Sequence, residues 1–196
     1  LHAVWGEGLT ESLGFPLPKT QELKKVNESY VFFDSRFPEG VISILSPRDG
    51  PLPPLGLQEG LRRAEQGELE LMRIRAGLVA IPQEIGPAEL PQEGGLEKNY
   101  VDFDKGCYLG QEVMARLHAM GKARRKAISV RWSEKEPPPI PTALLSGEKK
   151  VATLKSILMG KEGGVGIAIV HENGIPELDE KGLLVPGSEK GRIKRL

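Results

Sequence analysis

The stretch after Arg125 is patterned for short strands and little else. Ile128, Val130 and Trp132 alternate with Ala127, Ser129 and Arg131, the two-residue period of a half-buried strand. Strand-like runs follow at 142–145, 150–158, 165–170 and 183–185, punctuated by Gly163-Gly164, Asn173-Gly174 and Pro186-Gly187. Pro137–Pro139 form a turn or linker between the first two. Short strands at this spacing suggest a small antiparallel barrel or sandwich.

The first half is of mixed type. Residues 30–34 (YVFFD) and 41–45 (VISIL) are β-rich, and Pro38 and Gly40 between them supply a turn, as in a hairpin. Four prolines between Pro47 and Pro54 exclude a sheet interior there. Between Gln58 and Gly77 apolar residues fall at helical spacings, which predicts two short helices broken near Gly67. Residues 81–98, rich in Pro and Gly, predict a long loop of the kind that often carries function. Leu109, Val113, Leu117 and Met120 predict an amphipathic helix over 109–119, stopped by Gly121. The expected fold is α+β, with an α+β region over 1–122 and an antiparallel β-barrel over 123–196.

Composition narrows the function. Lys plus Arg and Asp plus Glu are 27 each, so no overall field favours nucleic acid or an anionic membrane. No run approaches the ~18 apolar residues of a membrane helix, and no signal-peptide pattern opens the chain. The start at Leu1 without Met is read as the mark of a trimmed or partial product. A single cysteine excludes an internal disulfide and suits a reducing cytoplasm, the expected location. Three scattered histidines and one cysteine offer no metal-ligand spacing, so no resident metal is expected. Three asparagines, many charges and proline-rich loops lean towards a thermophilic source.

Chemistry concentrates in Lys105–Glu112, KGCYLGQE. Cys107 precedes the predicted helix, whose first N–H groups favour an anion. That effect is small. A helix terminus contributes ~0.3–1 kcal/mol in exposed settings, too little to ionise an ordinary thiol near ~8.5 at neutral pH. A cation is needed, and Lys105 and Arg116 are the local candidates. The bland alternative is a small buried hydrophobe, which is how most lone cysteines behave. Gly106 and Gly110 suit a bent backbone close to a ligand or a tight turn before the helix. Glu112 and Arg116, four apart, form either a solvated pair or one wall of a pocket.

This segment resembles the K-G-C-Y-x-G-Q-E signature of the YgfZ family, which is related to the glycine-cleavage T-protein, a folate-dependent aminomethyltransferase. Arg73-Ile74 with Gly77 is similar to that family's R-I-x-x-G segment, and Leu90-Pro91-Gln92-Glu93 to its (I/L)-P-Q-E. Val113–Arg116 with Gly121, Lys122 and Arg125 is similar to the continuation. Gly147–Val151 and Leu154–Ser156 resemble a turn of the C-terminal barrel, with Ala152 and Lys155 as departures. Arg75 stands where T-protein relatives tend to have a folate-contacting Glu. The N-terminal part of the family fold has no convincing counterpart.

The resemblance implies a tetrahydrofolate-binding protein that supports iron–sulfur cluster assembly or repair through a reactive Cys107. Iron–sulfur client or assembly proteins are then its partners, with no nucleic acid and no membrane. Cys107 and Lys105 are the candidate catalytic residues. Tyr108, Gln111, Glu112, Arg116, Glu93 and Arg125 are candidates for holding folate, with Arg124 or Arg125 on its carboxylates. Two other readings are a T-protein-type aminomethyltransferase and an interaction module that keeps the fold without ligand or chemistry.

Overall fold

A computed structural model describes residues 2–6, 18–19, 22–37, 40–48, 62, 64–65, 67–121, 123–161, 163–188 and 191–196. They belong to two compact units, Leu1–Glu68 and Leu69–Leu196.

The first unit carries an antiparallel sheet in the order β1-β4-β3-β2, with β1 at His2–Val4, β2 at Leu23–Val26, β3 at Ser29–Asp34 and β4 at Val41–Leu45. The expected pair of β-rich runs forms β3 and β4, in register from Tyr30 opposite Leu45 to Asp34 opposite Val41. Pro38, in the turn read between them, lies outside the described residues. So do the proline loop from residue 49 on and most of the first helix expected after Gln58. Strand β2 was not expected, because Leu23-Lys24-Lys25-Val26 is too charged to stand out. Its local signal is Asn27, which with Glu28 links β2 to β3 at a φ of 53° that Asn tolerates better than most residues. Val31, Val41, Ile42 and Ile44 are buried. Buried Asp34 accepts hydrogen bonds from Arg36 Nε at 2.7 Å and Ser43 Oγ at 3.5 Å.

The second unit is a closed barrel with an outer layer. Strands β5 (Arg125–Trp132), β6 (Thr142–Ser146), β7 (Lys149–Gly160), β8 (Gly163–His171), β9 (Leu183–Leu184) and β10 (Arg192–Arg195) close in the order β10-β5-β8-β7-β6-β9. Every pairing is antiparallel, β9 meeting both β6 and β10. The barrel predicted from the strand runs is therefore present. Strand β10 carries little sequence signal, because Arg-Ile-Lys-Arg offers one inward apolar residue, Ile193. The expected alternation holds in β5: Ile128, Val130 and Trp132 are buried in the core with Leu144, Leu154 and Leu183. Each such side chain contributes roughly 1.5–3 kcal/mol on full burial. Helix α4 (Ile175–Glu180) adds Leu178 to the same core.

The outer face is covered too, since the outward residues Ile167 and Ile169 of β8 are as buried as the inward Ala168 and Val170. The cover is the segment from helix α1 (Glu68–Arg75) to a 3-10 turn at Pro91–Gly94. Ser129 Oγ on β5 donates to the Ile74 carbonyl at 2.6 Å, and Arg125 pairs with Glu93. The long loop expected over 81–98 is thus more ordered than its composition suggests. A short helix, α2 (Glu97–Tyr100), begins at its end. The loop's carboxylates are the reason. A β-bulge in β7 between Leu154 and Ser156 presents Lys155 to Glu89 at 2.7 Å and Ser156 to Glu84.

Candidate functional site

Helix α3 (Gln111–Met120) begins two residues later than its apolar spacing predicts. Gly110, at a φ of 87°, is its N-cap, a backbone conformation that strains any residue with a Cβ. The Tyr108 N–H donates to Gln111 Oε1 at 3.1 Å, and the Gln111 N–H donates to the Tyr108 carbonyl at 3.3 Å. This reciprocal pair closes the turn ahead of the helix. Gly121 ends it at a φ of 73°, its N–H donating to the Leu117 and His118 carbonyls.

The buried face of the helix also differs from the one its apolar spacing predicts. Met114 is buried, and its carbonyl accepts from Gln92 Nε2 at 3.4 Å. Leu109 and Val113, expected on the inner face, are exposed.

Cys107 is exposed, which sets aside the bland alternative of a buried hydrophobe. It lies three residues ahead of the N-cap, beyond the first turn where a helix terminus acts most strongly on charge. Lys105, the nearer candidate cation, has its Nζ 4.7 Å from the centre of the Tyr108 ring, a cation–π contact that engages it. Phe103 stacks on His118 with ring centroids 4.1 Å apart, tying the start of the loop to the last turn of α3. The thiol therefore sits on a loop tethered on both flanks.

Glu112 and Arg116 are exposed and form no ion pair with each other or any other group among the described residues. Their spacing along one helix permitted a pair, but the geometry does not make one.

Glu93 and Arg125 lie in a separate cluster. Arg125 Nε and Nη2 donate to the two Glu93 carboxylate oxygens at 2.7 and 2.9 Å, and the Leu90 N–H donates to Glu93 at 3.1 Å. These two candidates for folate contact thus meet each other first. Beside Glu93, the buried Gln92 keeps an Oε1 without a partner among the described residues. The structure brings Lys105, Cys107, Tyr108, Gln111, Glu112 and Arg116 into one loop and helix start, with the Glu93–Arg125 pair at another place.

Two features went unread in the sequence. One is the carboxylate layer over the barrel. Wholly buried Glu84 accepts from Arg73 Nη1 at 2.8 Å and Nη2 at 2.9 Å, from the Ala80 N–H at 2.7 Å and from Ser156 Oγ. Arg73 also bonds Glu70 and the Leu78 carbonyl. Glu70 first and then Glu84 raise the Arg73 pKa above its already high ordinary value. The other feature is the cationic rim formed by Arg124 with the adjacent Lys149 and Lys150, the nearer of them 25 residues further along the chain.

No family model matches the chain. The human mitochondrial iron–sulfur cluster assembly factor IBA57 is 38% identical over 86 residues, which are 41% of this chain and 23% of that protein. The IBA57 homologue of Coccidioides immitis is 33% identical over 87 residues, 40% of this chain and 20% of that protein. The Neurospora crassa homologue is 30% identical over 122 residues, 58% of this chain and 27% of that protein. The match thus spans about a quarter of the length of these curated relatives. Among solved structures, the glycine cleavage system aminomethyltransferase T of Bartonella henselae aligns with a TM-score of 0.62 at 14% identity, over 95% of this chain and 54% of that one.

The fold is accordingly T-protein-like. The expectation of a cytoplasmic protein is corrected, because the named relatives are mitochondrial. A lone cysteine rules out an internal disulfide in any compartment, so it had no power to choose among them.

Proposed function

We propose that this chain, whose sequence relatives are iron–sulfur cluster assembly factors of the YgfZ family and whose fold is that of the T-protein, supports iron–sulfur cluster assembly or repair through Cys107. The observation that carries the role of Cys107 is its exposure on a loop tethered by Phe103–His118 and Tyr108–Gln111. A thiol so placed can reach a partner protein, whereas a buried one cannot.

The cluster is cargo. A cluster takes about four ligands and Cys107 supplies one, so the others come from a partner or from small thiols. No group of three or more His, Cys, Asp or Glu suited to a metal occurs among the described residues. Nor is any of their helices long and apolar enough to cross a membrane.

Tetrahydrofolate is the proposed ligand on the same side of the motif. Tyr108 offers an aromatic face, although Lys105 already packs on that ring. Glu112 and Arg116, exposed and unpaired among the described residues, would meet the pterin amino groups and a carboxylate. Arg125 and Glu93 would have to loosen their mutual pair to take part. When bound, the folate would supply one-carbon chemistry, and these residues would orient it. Aminomethyl transfer gains nothing further here, since a likeness at 14% identity speaks for the fold alone.

The test is Cys107→Ser in cells that lack their own factor of this type. The variant is expected to fold, with an unchanged circular dichroism spectrum, and to lose support of iron–sulfur enzyme activity. Full rescue by the serine variant would overturn the role of Cys107. Calorimetric titration with tetrahydrofolate tests the ligand separately: Glu112→Ala with Arg116→Ala should weaken binding, and no binding to the unaltered chain would remove folate.

A further inference from the structure

A cavity of about 450 Å³ opens where the start of β5, the β6–β7 hairpin and the end of β8 come together. None of residues 105–116 lines it, so it is distinct from the motif loop. Its volume falls within the roughly 300–1,000 Å³ of small-molecule sites. The floor is apolar, formed by the buried Val151, Ala152 and Ile169.

The rim is cationic. Arg124, Lys149 and Lys150 are exposed there, and their side chains make no hydrogen bond or ion pair among the described residues. His171 adds a donor, because its Nδ1 accepts the Asn173 N–H at 3.3 Å and the ring proton is left on Nε2. The one lining carboxylate, Glu89, is already held by Lys155 at 2.7 Å and by the Gly86 N–H at 3.0 Å. Arg125 is likewise committed to Glu93. Three cations thus share one concave rim without an ion pair among the described residues, and their mutual repulsion is relieved by a bound anion.

We propose that this cavity binds a small organic anion of at least two negative charges, a phosphate monoester or a polycarboxylate. Its charged end lies among Arg124, Lys149 and Lys150, with its apolar body on Val151, Ala152 and Ile169. The site uses none of the motif residues 105–116, although Arg124 and Arg125, named above for the folate carboxylates, also line it. It takes its selectivity from charge at the rim and its capacity for a carbon skeleton from the floor. Nucleic acid fits less well, because the concavity is small and no Phe, Tyr or Trp lines it for base stacking.

The test is calorimetric titration of the full chain with glycerol 3-phosphate, inorganic pyrophosphate and citrate, at low and moderate salt. Saturable binding of at least one probe is expected, weaker at higher salt. The phosphate and citrate arms decide which anion is preferred. Arg124→Ala with Lys149→Ala and Lys150→Ala should lower affinity by about tenfold or more, since each removes a charge-assisted contact. Cys107→Ser should leave it unchanged, and an unaltered melting temperature shows that the triple variant folds. Absence of saturable binding by all three probes, or equal binding by the triple variant, would overturn the proposal. So would displacement of the probe by tetrahydrofolate, which would make the cavity part of the folate site, or tight single-stranded RNA binding that needs the same cations while the small anions fail.

Discussion

Glu84 has no contact with water, and its charge is balanced entirely by neighbours. Arg73 forks onto it, Ala80 and Ser156 add donors, and the result fastens α1 to the bulge of β7. Breaking such a pair costs more than the pair is worth, because the surviving charge stays buried. Glu84→Ala is expected to destabilise the protein by about 3–5 kcal/mol, read from the urea midpoint at constant m-value. A change below about 1 kcal/mol would show that Glu70, which Arg73 also bonds, is enough to balance the arginine left behind. Cys107 stands at the opposite extreme of exposure. It should react with a thiol reagent in the native protein to the same extent as in denaturant. Protection until unfolding would contradict its place on the surface.

At the scale of elements, glycines mark where backbones must meet. A Cβ on Gly166 would collide with the Ser156 carbonyl oxygen, at the bulge that presents Lys155 and Ser156 to the outer layer. Gly166→Ala should therefore separate β8 from β7 and cost about 1–3 kcal/mol or more, seen as a lowered melting temperature. At Gly110 the reason is different, since no atom lies near the missing Cβ but its φ of 87° is unfavourable for other residues. Gly110→Ala should shift the start of α3 and the loop carrying Cys107, with a smaller loss of stability. The rate of thiol modification reads that change. An unaltered rate would mean that the Phe103–His118 and Lys105–Tyr108 contacts hold the loop without the glycine.

Across the whole molecule, both units carry carboxylates that ionise more readily when folded. Hydrogen bonds from Arg36 lower the pKa of Asp34 below 3.8, and those from Arg73 and Lys155 lower Glu70 and Glu89 below 4.5. Between the lowered and ordinary values the unfolded chain binds more protons than the folded one. Stability therefore rises with pH through that window. The contribution is complete above about pH 4.5 and is lost as acid protonates the folded carboxylates below it. Urea midpoints at pH 5.5 and below pH 4 check this, and Lys155→Met should flatten the acid limb. The barrel core, the Arg73–Glu84–Ser156 network and the Glu93–Arg125 pair all lie within Leu69–Leu196. Residues 69–196 expressed alone are expected to unfold in a single cooperative transition.

What the sequence determined by itself was whatever depends on near neighbours. Alternation marked most barrel strands, Gly121 marked the end of α3, and KGCYLGQE pointed to the family of the relatives later found. Helical spacing alone misplaced the start of α3, because Leu109 matches the period but Gly110 fixes the cap. Tertiary structure decided which charge meets which. Glu84 pairs with residues 11 and 72 positions away, and Glu93 with one 32 positions away. The same is true of the cationic rim, whose members come from the residue before β5 and the start of β7. A periodic pattern reports which face is apolar, but the choice of ionic partner follows from barrel closure and from the bulge in β7. The KGCYLGQE loop could be named from sequence, whereas the exposure of Cys107 and the engagement of Lys105 by Tyr108 required the folded chain.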